Sequence, residues 1–400
     1  MNDNKYIKEQ LKLGIKTAED VNVLDDIKKT YSDNPEIYKP KTELTQNNKT
    51  ETDIARQKVK RKILALASSL AAIVLVVSLG VYFLVSLNAN SLYEYQAGNG
   101  SVTDPYIIMT KEQLIYFRDK TNTVNSYSQN IYFALGSDIN LENIEWIPIE
   151  GFKGGNFNGK GYKIYNFKIT QNAIFDNPKA FGLFGNVYDA TIENLGVSGF
   201  NINITEPSDL YEVYAGGLAA HVSGCTISNC YAIGNVSVIS NGGSTFAGGL
   251  LGYIDDASIS DCYAVVNVSA TGEWSACFSG GLIAFVSNGT ISNCYATGNV
   301  TAISSGNVCA GGLVGAYTES TLNNCYRFDE QIIDADGALP IEGPVFPQIN
   351  TEGLECNLSD LNSPEFYTEI LVWDSSIWDF TGLDFTGGKY PELINAGLLS

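Results

Sequence analysis

The chain has 400 residues, 44 acidic against 24 basic side chains, a net charge of −20 and a single histidine. That balance excludes nucleic-acid binding through phosphate contacts, which needs Lys and Arg, and adhesion to anionic lipid heads. The acidity begins after residue 62: residues 1–62 hold 14 basic and 11 acidic side chains, whereas the remainder holds 10 and 33.

In chain order, residues 1–57 read as a short cytoplasmic tail. Ile7, Leu11, Ile15, Leu24 and Ile27 give an imperfect helical spacing, and residues 32–57 are polar with Pro35 and Pro40, as in a disordered linker. Residues 58–90 comprise a basic flank and an apolar run at about 63–87 that carries no charge. Roughly 20 apolar residues suffice to cross a hydrocarbon core as a helix. Arg56, Lys58, Lys60, Arg61 and Lys62 precede the run and Asn88, Asn90 and Ser91 follow it. The positive-inside rule then places the N-terminus in the cytoplasm and the rest outside a single-pass span. A cleaved signal peptide has a shorter apolar stretch nearer the N-terminus.

Residues 91–180 are expected to form an N-terminal cap with the first coils, including a helix over Thr110 to Lys120. Residues 181–326 repeat. Ala215-Gly-Gly-Leu218, Ala247-Gly-Gly-Leu250, Ser279-Gly-Gly-Leu282 and Ala310-Gly-Gly-Leu313 begin 32, 32 and 31 residues apart. Each leads to a second block, Thr226-Ile-Ser-Asn-Cys-Tyr231, Ser258-Ile-Ser-Asp-Cys-Tyr263, Thr290-Ile-Ser-Asn-Cys-Tyr295 and Thr321-Leu-Asn-Asn-Cys-Tyr326. A third run follows in three copies at Asn235, Asn267 and Asn299. Three short apolar runs per repeat are strand signals, and such a unit buries its apolar face only by stacking on its neighbours. The expected fold is therefore an all-β, right-handed parallel β-helix, preceded by the transmembrane helix and the cytoplasmic tail, with residues 327–400 as C-terminal coil and cap.

Period two places Cys230, Cys262, Cys294 and Cys325 inside, and Tyr231, Tyr263, Tyr295 and Tyr326 outside as a stacked ladder. Asn194, Asn229, Asp261, Asn293 and Asn324 fall at a bend, where stacked amides would bond along the axis. Strict alternation also turns Phe184, Ala219, Leu251, Ile283 and Val314 outward as an apolar stripe, which the long loops at 205–214 and 241–246 are expected to cover.

These blocks resemble the GLUG motif, which recurs in bacterial surface proteins, adhesin-like proteins and the non-catalytic part of some IgA-cleaving metallopeptidases. The resemblance spans roughly residues 94–395, with Trp373, Trp378 and Gly387-Gly388 similar to a closing cap. It implies a β-helix at the cell surface and leaves activity open, since the motif is structural.

Chemistry finds little support in the residues. There is no His-Glu-x-x-His pair, and His221 falls in a slot shared with Asn186, Tyr253, Phe285 and Ala316. Residues 181–326 contain no Lys or Arg, which argues against a pectate-lyase-like mechanism. Asp255, Asp256 and Asp261 are the one close acidic cluster; Asp255 and Asp256 make a weak Ca²⁺ candidate on a turn. The even count of eight cysteines invites disulfides, but Cys230, Cys262, Cys294 and Cys325 read as a buried free-thiol ladder, with Cys277 and Cys309 the best disulfide exception. No catalytic residue and no cofactor is expected, and the chain reads as not an enzyme. The expectation is a membrane-anchored, non-catalytic, adhesin-like or envelope-associated protein, binding an extracellular glycan or protein through the Tyr231, Tyr263, Tyr295 and Tyr326 ladder. The alternative is a polysaccharide hydrolase using coil carboxylates.

Overall fold

A computed structural model of the chain describes Lys58 and residues 94–95, 97–170, 179–206, 211–273, 275–338 and 353–395. Among them no helix is long and apolar enough to cross a membrane. The span expected at 63–87 and the tail at 1–57 lie outside the described residues.

Each sequence repeat is one turn of a parallel β-solenoid. Ala-Gly-Gly-Leu ends one strand and makes the bend before the next, as between Thr245–Gly248 and Leu251–Asp255. Every strand then pairs in parallel with its copy one turn on. One face is a six-stranded parallel sheet running from Phe152–Lys153 through Ala219–Ser223 to Val314–Thr318, so the coil makes about six turns. The repeat alignment is the register: Tyr231 pairs with Tyr263, Tyr263 with Tyr295 and Tyr295 with Tyr326.

The diglycine makes a bend too tight for a side chain. A Cβ on Gly248 would lie 1.8 Å from the Leu251 carbonyl oxygen, and one on Gly280 equally close to that of Ile283. The bend also breaks alternation. Leu250 and Leu251 are consecutive yet both fully buried in the core, as are Leu218 and Ala219. The expected outward stripe of Phe184, Ala219, Leu251, Ile283 and Val314 is therefore inside, at 0% exposure.

The cysteine has a specific task at the next corner. Asn229, Asp261, Asn293 and Asn324 all sit in the left-handed region, at φ 51–54°. Immediately after each, the thiol donates back to the carbonyl two residues earlier: Cys230 to Ser228 (3.2 Å), Cys262 to Ser260 (3.0 Å), Cys294 to Ser292 (3.1 Å) and Cys325 to Asn323 (3.2 Å). The carbonyls of Ser292 and Asn323 also accept the backbone N–H groups of Asp261 and Asn293 on the preceding turn, so the thiol adds a second, weak donor at the corner. The amides bond along the axis, Asn293 to Asp261 (3.1 Å) and Asn324 to Asn293 (3.0 Å). All eight cysteines are buried free thiols. Cys277 and Cys309 cannot be the expected exception: Cys277 pairs with Val308 and Phe278 with Cys309, so the shorter 31-residue interval sets the two thiols one residue out of step and on opposite faces.

At the N-terminal end the helix Lys111–Thr123 begins at Thr110, whose hydroxyl accepts from the Gln113 amide. Its Leu114 and Phe117 are fully buried, and the Phe117 ring lies 4.6 Å from Phe133 and 5.5 Å from Phe157. It closes the first coil, where no preceding turn could cover the apolar interior.

Candidate functional site

Four surfaces contend for a binding role. The first is the tyrosine ladder. Tyr231, Tyr263 and Tyr295 stack as expected, with centroids 5.1 and 5.0 Å apart and planes within 9° and 4°. Their exposures are only 6%, 1% and 0%, because residues 353–395 fold alongside the coils and cover them. Trp373 and Trp378 stack on each other at 4.5 Å and rest on the tyrosines. Polar contacts pin the cover: the Tyr263 hydroxyl donates to Pro391 O (2.8 Å), Trp373 Nε1 to Asn293 O (2.7 Å) and Asn324 Nδ2 to Ile370 O (2.6 Å). Burial holds the Tyr263 and Tyr295 hydroxyls well above their ordinary pKa, so both stay neutral. The outward direction was legible, but the open platform is corrected to a lateral interface within the chain; Tyr326, at its edge, is half-buried.

The second is the concave side of the diglycine bend, which sequence reading did not single out. Side chains leaving the two strands of the bend converge there. Tyr214, Phe246 and Phe278 stack at 4.9 Å intervals, and Tyr253 stacks on Phe285 at 5.4 Å. The rows meet edge to face, Phe246 to Tyr253 at 5.5 Å. The rings cover one another's faces, leaving Tyr214, Phe246, Phe278 and Phe285 only 4–8% exposed. This is a packed aromatic seam, not an open groove.

The third is the polar head of that seam. His221 lies 5.5 Å from Tyr214, 5.3 Å from Tyr253 and 5.8 Å from Tyr188. Burial lowers its pKa against the pull of Asp255 and Glu212, so the imidazole is neutral at pH 7. Beside it Glu150 accepts from Asn186 Nδ2 (2.7 Å) and the Asn186 amide (3.2 Å), and burial raises its pKa. Asp255 ends a strand of the six-stranded sheet and Asp256 turns away from it at φ 50°. Among the described residues no group of three or more His, Cys, Asp or Glu side chains is arranged to hold a metal ion.

The fourth surface lies on the same long strands as the tyrosines, farther along. In Thr191–Glu206, Thr226–Ser240, Tyr263–Gly272 and Val300–Gly311, alternate residues leave the coil in three columns. The first is Asn201, Asn235, Asn267 and Asn299, all exposed; the second is Asn203, Ser237, Ser269 and Thr301; the third is Thr205, Ile239, Thr271 and Ile303. The intervening Ile202, Val236, Val268 and Val300 point inward and are buried. No charged residue occurs in 199–205, 233–239, 265–271 or 297–303. Charge returns at the borders, with Lys168 beside Asn201 on the preceding turn and Asp334 beside Thr301 on the following one. The asparagines are ordered along the axis: Asn267 Nδ2 donates to Asn235 (3.4 Å), and Asn267 Oδ1 accepts from the Asn299 amide (3.0 Å). The signal was present in the third run of the repeat, but nothing in the sequence said that the cap would stop short of it.

Comparison with known proteins agrees on the repeat. The family profile described as the GLUG motif matches residues 211–237 and 279–301, and the chain carries that motif on its parallel β-solenoid. Among solved structures, a candidate immunoglobulin A1 protease from Bacteroides ovatus is 21% identical, with 76% of this chain and 96% of that chain covered and a TM-score of 0.49. A second, an IgA1 protease, is 14% identical, with 62% and 21% covered and a TM-score of 0.33. No curated protein matches the chain. The expectation that the chain is not an enzyme is corrected by these names: both similar structures are described as proteases, so exclusion of catalysis, peptidase action included, is withdrawn. At these identities and TM-scores the likeness assigns no activity to this chain.

Proposed function

We propose that the chain is a cell-surface binding protein, adhesin-like, that presents the uncharged face of its solenoid to an extracellular ligand. The observation that carries this reading is that face: four in-register rungs of Asn, Ser, Thr and Ile side chains that the cap leaves uncovered. Hydrogen bonding to the rungs above and below fixes the backbone there, so little ordering has to accompany contact. The apolar run at 63–87 tethers the chain as a single membrane span with residues 1–57 in the cytoplasm. The coils wind with the right hand that parallel crossovers favour.

The test has two arms. In cells, protease added outside should degrade residues 91–400 and leave residues 1–57 protected; protection of the solenoid would sink the topology. In vitro, the purified full-length chain on a glycan and host-matrix array should retain at least one ligand. No retention on any array component would sink the binding role.

A further inference from the structure

We infer that the ligand of the uncharged face is a neutral, regularly packed polysaccharide, engaged by the Asn, Ser and Thr columns as a flat array. The inference rests on the binding role proposed above and narrows it to one chemistry.

Charge gives the first reason. The chain carries a net −20, yet its most regular open surface has no ionisable group. An acidic polymer would meet the repulsion of the rest of the domain, and a basic one would find carboxylates only at the border rung, Asp334 and Asp336, and none on the four rungs themselves. Neutral hydroxyl and acetamido groups fit what is there. Asn presents a donor and an acceptor, and Ser and Thr hydroxyls present both. Exchanging water for sugar hydroxyls at such groups costs far less than desolvating charges.

Geometry gives the second. Rungs of a parallel sheet repeat at about 4.8 Å, and alternate side chains along a strand stand roughly 6.6 Å apart. A two-dimensional lattice of that kind is matched by a lattice, such as pyranose chains packed side by side, better than by an irregular protein surface. Ile239 and Ile303, each 40% exposed, supply apolar contact of the kind the C–H faces of sugar rings accept. Many contacts, each weak and repeated, would add through multivalency.

The full-length chain, solubilised in mild detergent, is incubated with insoluble chitin, microcrystalline cellulose or, as a charged comparison, calcium alginate gel, and depletion from solution is measured. Chitin or cellulose should deplete the protein, alginate should not, and added salt should change little. Asn235→Lys with Ser269→Lys places two charges in the columns and should lower retention at least tenfold, with an unchanged melting temperature. Asp256→Lys, on an exposed turn elsewhere, should retain the parent's behaviour. If the double variant stays folded and binds as well as the parent, the face is not the site. If chitin and cellulose both fail while the array holds a protein or an acidic glycan, the inferred chemistry is wrong and the binding role survives. If the array also finds nothing, both fall together.

Discussion

The strand Thr226–Ser240 carries two outer surfaces with opposite fates. Over its first half, Tyr231 leaves the coil and is sealed beneath Trp378, at 6% exposure. Four residues later Asn235 leaves the same sheet in the same direction and stays exposed. Both halves lie in one parallel sheet, with a register irregularity between Ile233 and Gly234. Side-chain chemistry separates them: stacked phenol rings present apolar area worth covering, whereas an amide and hydroxyl column is already solvated and gains little from burial. Stability is thus concentrated on one half, and the other is left free to interact.

Substitutions can break or sharpen that contrast. The largest effect is expected from Trp378→Ala, which empties the cap's contact with Tyr231 and Tyr263 and should cost roughly 3–5 kcal/mol in chemical denaturation. Tyr263→Phe keeps the stack but deletes the hydroxyl bond to Pro391, leaving a buried carbonyl unpaired; about 1–2 kcal/mol should be lost. Next comes Asp261→Asn in the corner ladder. Burial holds this carboxyl above its ordinary value of 3.8, although Asn293 donates to it. A folded-state acid with a raised pKa binds its proton more tightly than the unfolded chain does, so its contribution to stability falls as pH rises through those values. The Asn variant should therefore match the parent in acid and exceed it at neutral pH; an advantage that shrank toward neutrality would contradict this account. On the open half, Ser269→Ala should move stability by no more than about 0.5 kcal/mol. Smallest of all, a reductant should leave the melting temperature unchanged, since every cysteine is a free thiol. Burial pushes the Cys225 and Cys277 thiols up to about 11, so alkylation should require unfolding.

How far the sequence was legible follows from the same division. The repeat interval, the parallel register, the inward cysteines and the asparagine ladder all depend on contacts between equivalent positions, and an internal repeat displays those directly. The diglycine bend was visible as a motif. Its effect on alternation was not, because a tight turn adds a residue whose direction the period-two rule does not describe; Leu251 is the example. The fate of the tyrosines was hidden for a different reason. Their cover comes from residues as distant in sequence as Pro391, which bear no repeat and so announce no partner. The Cys277–Cys309 pairing failed by a single residue of register.

The cap also counts. Trp378 spans Tyr231 and Tyr263, Trp373 spans Tyr263 and Tyr295, and Phe366 spans Tyr295 and Tyr326, so three aromatics of the non-repeating segment take one junction between turns each. Tandem arrays grow and shrink readily by duplication and loss of whole units, and the coils by themselves would tolerate either. Here an extra unit would strand a tyrosine with no cap ring to meet it, and a missing one would leave a cap ring without a seat. The segment thus works as a gauge of fixed length, cut to the four tyrosine-bearing turns of this chain.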